Sequence, residues 1–206
     1  MSSWQYVFMF PDHGDSLQVE KVVRIFADSG FNFDSYIYPA HVVDEAGHLE
    51  HIDAINIPFP PIDEIEKLLR HNEQFLVECR NQELFLSISF AEKYYTNPHV
   101  MIGWPRTIFS ALAKDSQEKY LRLIRNVANA CGAFYIIIVN DPPDYFEDRF
   151  LEIDGQRFLD EYLPSGNKYD IQNVWINSAS SNTQLGGVEI SGCVDVGEGF
   201  QQHSIK

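Results

Sequence analysis

The six residues Phe134-Tyr135-Ile136-Ile137-Ile138-Val139 carry no charge and, apart from the Tyr135 hydroxyl, no polar side chain. A run of that length between polar boundaries is a strand. Its lack of alternation means that both faces must be covered, which places it in the middle of a sheet. Just upstream, Tyr120, Leu121, Ile124, Val127, Ala128 and Cys131 recur at helical spacing. Asp115 and Glu118 head that pattern as an acidic capping box, and Gly132 closes it. An amphipathic helix that turns at a glycine into a doubly buried strand needs strands on either side and helices over them. The chain is therefore expected to be an α/β (α+β) protein: a mixed β-sheet with about three helices packed on it and a β-rich C-terminal part.

The rest of the chain supplies the other pieces. Trp4 to Phe10 is aromatic and β-branched and reads as the first strand. A helix is expected from about Ser16, capped by Asp15, with Val19, Val22, Val23 and Phe26 as its apolar stripe and Gly30 as its stop. Residues 31–38 form a second strand, halted by Pro39. Residues 41–51 read as a polar loop, and a second helix is expected from Ile62. Leu84, Leu86, Ile88 and Phe90 alternate with Ser87 and Ser89, as in a strand with one buried face. Residues 100–104 and 107–112 flank Pro105-Arg106 as either a hairpin or a strand and a helical turn. A hairpin is expected around Asp154-Gly155, and late strands around Val174-Trp175-Ile176 and Val188-Glu189-Ile190. No linker divides the chain, so residues 1–206 are read as one domain, with a mobile loop at about 178–187 and a short flexible tail at about 200–206.

Thirty acids stand against fifteen bases, a net charge of −15. Nucleic-acid binders need a positive footprint and anionic membranes attract one, so this balance points away from both. It favours solubility and rapid encounter with basic proteins. Three separated cysteines, Cys79, Cys131 and Cys193, fit neither a disulfide framework nor a zinc knuckle and read as reduced core thiols. No apolar run approaches the length of a membrane span, and the N-terminus lacks the pattern of a signal peptide. A cytoplasmic protein is expected.

Two constellations can carry chemistry. His41, His48 and His51 lie among Asp44, Glu45, Glu50 and Asp53, and imidazoles with carboxylates are zinc or iron ligands. The spacing matches no metal motif, and a solvated loop is the plainer reading. Asp141, Asp144, Glu147 and Asp148, with Tyr145 and Phe146 among them, follow the central strand. At the carboxyl end of a strand these acids can hold Mg²⁺ or exchange protons. With the aromatics and Pro142-Pro143 they equally resemble a docking loop for a basic protein, since aromatic side chains anchor interfaces at low entropic cost. Lys114, Lys119, Arg122 and Arg125 cluster on the best helix and are read as salt-bridge partners for the acids. No nucleophile elbow, P-loop or dinucleotide fingerprint occurs.

The expectation from these features is a protein-binding inhibitor, for example an immunity protein that blocks a cationic bacterial toxin, without a cofactor and with Asp141, Asp144, Tyr145, Phe146, Glu147 and Asp148 as its contact residues. A metal-dependent hydrolase built on His41, His48 and His51 or on the acidic loop is one alternative, and a self-associating subunit is the other.

Overall fold

The computed structural model describes residues 3–11, 18–43, 49–51, 74–90, 100–140, 171–177 and 190–205. Ten strands form one sheet: β1 (Trp4–Pro11), β2 (Asn32–Val43), β3 (Leu49–His51), β4 (Gln74–Arg80), β5 (Phe85–Phe90), β6 (Val100–Pro105), β7 (Ala133–Asn140), β8 (Ile171–Asn177), β9 (Ile190–Gly197) and β10 (Phe200–Ile205). Three helices are described: α1 (Val19–Asp28), α2 (Arg106–Ala111) and α3 (Lys114–Ala130). The α+β class and its single sheet are those read from the sequence. The strand order is β3-β2-β4-β5-β6-β1-β7-β8-β10-β9, and every neighbouring pair is antiparallel. Strands of like direction occur at one remove. β6 and β7 run the same way with β1 between them, and the chain crosses from one to the other through α2 and α3.

Strand β7 is central and doubly buried: Ile136 and Ile138 face the core under the helices, while Ile137 and Val139 on the other face are no more exposed. Along β1 the same alternation places Val7 and Met9 in the helix-side core and buries Phe8 and Phe10 on the opposite face. The apolar stripes of α1 (Val19, Val22, Val23, Phe26) and α3 (Tyr120, Leu123, Ile124, Val127, Ala128) close that core over Val77, Leu86, Ile88, Ile102 and Trp104.

Helix α1 ends as its glycine predicts. Gly30 takes φ +86°, its N–H donates to Ala27 O at 2.9 Å, and the Phe31 N–H donates to Phe26 O at 3.1 Å. This is the Schellman arrangement, and its accompanying apolar contact is the edge-to-face pair of Phe26 and Phe31, with centroids 5.7 Å apart.

Several boundaries differ from the sequence reading. α1 starts at Val19 with Gln18 at its N-cap and no side-chain cap, and Asp15 lies outside the described residues. α3 begins at Lys114, so Asp115 sits inside the first turn, where it complements the helix dipole and caps nothing. Pro39 does not stop β2. The strand runs on to Val43, and a register shift between Pro39 and His41 accommodates the residue that lacks an N–H. Ser89, expected on a polar face, is buried at 3% exposure. The expected flexible tail is instead β10. Three consecutive left-handed residues, Gly197, Glu198 and Gly199 (φ +87°, +54° and +81°), fold it back on β9, and the fully buried Phe200 anchors it. The loop at 178–187, the helix from Ile62, the hairpin near Asp154-Gly155, and Val188 and Glu189 lie outside the described residues.

Candidate functional site

Asp141, Asp144, Tyr145, Phe146, Glu147 and Asp148 lie outside the described residues; the root from which they spring does not. Asn140 ends β7 at 2% exposure. Its Oδ1 accepts from Gln5 Nε2 at 2.9 Å, and Gln5 Oε1 accepts in turn from Trp104 Nε1 at 3.0 Å. The relay spans β7, β1 and β6 and satisfies polar groups that burial would otherwise penalise. The Arg106 N–H donates to Ser3 O at 2.9 Å, tying the start of α2 to the same end of the sheet. The acidic segment therefore leaves from a fixed point.

The histidines are partly brought together. His41 and His51 are direct register partners across β2 and β3, so residues 41–43 and 49–51 are paired strands where a loop was expected, while 44–48, His48 among them, lie outside the described residues. Among the described residues no three His, Cys, Asp or Glu side chains converge in a group that could hold a metal ion.

The basic side chains of α3 do not act alike. Arg125 is 3% exposed, not on a solvated face. Its Nη2 donates to Glu118 Oε1 at 2.6 Å and its guanidinium lies over the Trp175 ring, 5.2 Å from the centroid. The Nε atom has no hydrogen-bond partner among the described residues. Arg125 thus fastens α3 to β8 by its cation–π contact with Trp175, while its ion pair with Glu118 stays within the helix.

Lys119, one turn before Leu123, lines a cleft that no sequence pattern announces. Its other lining residues are Ser29, Gly30, Asn32, Arg80, Asn81, Gln82 and Glu83, and its volume is about 540 Å³. Asn81 organises the turn between β4 and β5: Oδ1 accepts from the Glu83 and Leu84 N–H groups at 2.9 and 2.8 Å, and Nδ2 donates to the Tyr120 hydroxyl at 2.9 Å. Tyr120 donates to Glu83 Oε2 at 2.8 Å. Burial, together with the Glu83 carboxylate, pushes the Tyr120 phenol up to about 12, against the opposing Asn81 hydrogen bond, so it stays protonated. The only sequence signal for this site was Asn81-Gln82-Glu83 between two apolar strands, which marks a turn and says nothing of the helix residues that meet it.

The described cysteines are structural, as read. Burial pushes the Cys79 thiol up, and it raises that of Cys131 to about 12 despite the opposing charge of Lys21. Neither supplies a thiolate nucleophile.

The charge is unevenly placed along the chain. The described residues hold ten acids and eight bases, so nearly all of the −15 belongs to the residues outside them. Residues 141–170 alone carry nine acids and three bases. No described helix is long and apolar enough to cross a membrane. No family model, no curated protein and no solved structure matches the chain.

Proposed function

We propose that this chain is an acidic inhibitor that binds and neutralises a basic protein, in the manner of an immunity protein against a cationic toxin. The observation that carries this reading is the placement of the charge. A nearly neutral sheet-and-helix frame bears a segment, residues 141–170, with a threefold excess of acids, rooted at the buried Asn140. A concentrated field of one sign steers a partner of opposite charge and speeds its association. A fixed root lowers the ordering cost of docking. Tyr145 and Phe146 are the aromatic anchors, and Asp141, Asp144, Glu147 and Asp148 are the charges that set orientation.

The test uses the purified full chain, immobilised and exposed to lysate of its source in stepped salt. A single basic protein eluting only at high salt is expected. Its capture should be lost with Asp144→Asn/Asp148→Asn and with Tyr145→Ala, while the variants keep the parent's circular dichroism. Absence of any salt-sensitive basic partner, or capture indifferent to all three substitutions, overturns the reading.

One observation supports a second reading. The register sets His41 opposite His51 across one ladder, and two histidines paired in this way suit a divalent metal when further ligands join them. Zinc, iron or manganese retained by protein purified without chelator or tag, and lost in His41→Ala/His51→Ala, would favour a metal-dependent enzyme.

A further inference from the structure

We propose that the cleft between the end of α1, the β4–β5 turn and α3 binds a small polyanion, a phosphate ester or a polycarboxylate, held between Arg80 and Lys119. This site is independent of the acidic segment and of any protein partner. Arg80 and Lys119 are exposed, both line the cleft, and neither is in an ion pair among the described residues, whereas Arg24 and Arg125 each have a carboxylate partner. In a chain with twice as many acids as bases, Arg80 and Lys119 against the single acid Glu83 leave the described lining of this cleft with a net positive charge. The described frame around them is close to neutral, and charges beyond a screening length of roughly 8 Å at physiological salt count for little.

The Glu83 carboxylate keeps its charge, but its oxygens are held by two hydroxyls. Glu83 accepts from Tyr120 at 2.8 Å and from Ser116 Oγ at 3.4 Å. The carbonyl end of α1 would itself attract cations, but the Schellman hydrogen bonds occupy Phe26 O and Ala27 O, and Ser29 donates its hydroxyl to Ile25 O at 2.9 Å. The walls are held in place before any ligand arrives. Asn81 has both side-chain atoms committed, and Gly30 sits in a left-handed conformation that fixes the turn. Asn32 and Gln82 add amide donors. A guanidinium fork and an ammonium are the side chains that best match phosphate and carboxylate oxygens. A volume of about 540 Å³ suits a metabolite-sized ligand, and the polar lining suits a highly charged one.

The test is titration of the full chain with inorganic phosphate, with a sugar phosphate and with citrate, in separate arms, at physiological salt, followed by amide chemical shifts and calorimetry. Saturable binding is expected in at least one arm, with shifts at Gly30, Asn32, Asn81 and Gln82. The arm that binds distinguishes phosphate from carboxylate. Arg80→Gln and Lys119→Gln should each weaken it about tenfold or more, since each removes a charge-assisted contact. Lys114→Gln, the same charge change on the same helix outside the cleft, should leave it unaltered. No saturable shift in any arm up to about 10 mM, where even millimolar affinity would register, overturns the proposal. So does equal weakening by Lys114→Gln, which would show diffuse attraction only, or binding retained in both Arg80→Gln and Lys119→Gln.

Discussion

Gly103 of β6 stands opposite Tyr6 of β1 and Ser87 of β5, and its backbone is not left-handed. On conformational grounds alone, alanine there should stabilise the strand by roughly 0.5–1 kcal/mol. The surroundings reverse that sign. A methyl group on Gly103 would stand 2.8 Å from Tyr6 Cε1, 3.1 Å from Tyr6 Cδ1 and 3.4 Å from Trp4 Cε3. Ordinary carbon–carbon contact needs ~3.5 Å or more, so the ring must retreat by roughly 0.7 Å. It has little room to do so. Tyr6 is stacked between Trp4, with centroids 6.0 Å apart, and Phe8, at 6.3 Å, and Trp4 in turn lies edge-on to Phe85 at 6.2 Å. Overpacking of this kind costs about 1–3 kcal/mol. Gly103→Ala is therefore expected to lower the unfolding free energy by about 0.5–2 kcal/mol after the backbone gain is subtracted. In a Tyr6→Ala background the clash is gone, and the same substitution should stabilise. The coupling in the double-mutant cycle is then the clash itself, about 1–3 kcal/mol. Urea unfolding of the four proteins, followed by far-ultraviolet circular dichroism, reads each corner. Gly103→Ala as stable as the parent, or an equal loss in both backgrounds, would refute the packing argument.

Three further outcomes follow from the same geometry. Glu198 holds φ +54° between two left-handed glycines, and its carbonyl accepts from Asn129 Nδ2 at 2.8 Å. Glu198→Gly keeps that backbone bond, relieves the strain, and should raise stability by about 0.5–1 kcal/mol in the same urea assay. A decrease would mean that the turn is not strained. The Tyr120 phenol is raised from its ordinary 10 to about 12, so its contribution to folding is intact below pH 10 and is lost as pH rises toward 12. Tyr120→Phe should be less stable at neutral pH but flatter than the parent between pH 10 and 12; parallel curves would contradict the assignment. The thiols of Cys79 and Cys131 should resist an aromatic disulfide reagent in the native protein and react on unfolding. Two or more fast thiols in the native protein would show that the core opens readily.

The parts of the fold legible in the sequence were those decided by local pattern. Residues 134–139 had to be doubly buried because nothing polar alternates there, and Gly30 had to end α1 because a side chain resists the conformation that it adopts. The misjudged parts depend on partners remote in sequence. Pro39 reads as a strand breaker until a register shift against β4 accommodates it. The stretch from Gln201 to Ile205 looks too polar for a strand until β8 and β9 flank it. Arg125 carries the spacing of a helix's wet face, and only Trp175, fifty residues on, reveals a buried cation. The cleft is the extreme case, since Ser29, Arg80 and Lys119 come from three elements and no spacing rule joins them.

The separation of frame and charge bears on how such a chain can carry so many acids. Like charges held close oppose compactness, and a net charge far from zero destabilises a folded chain through self-repulsion. Here ten acids and eight bases share the described sheet and helices, so the frame bears little of that repulsion. The core beneath it is sealed by Phe26, Phe31 and Tyr120 and by the Arg125–Trp175 contact, none of which draws on the acidic segments. On the proposed reading, stability and surface field are set by different residues. Neutralising Asp144 and Asp148 should consequently leave the unfolding free energy within about 0.5 kcal/mol of the parent, the range usual for surface substitutions, while changing the salt dependence of whatever the segment binds. A large stability change in that variant would show that residues 141–170 are part of the packed frame, and the inhibitor reading would lose the separation on which it stands.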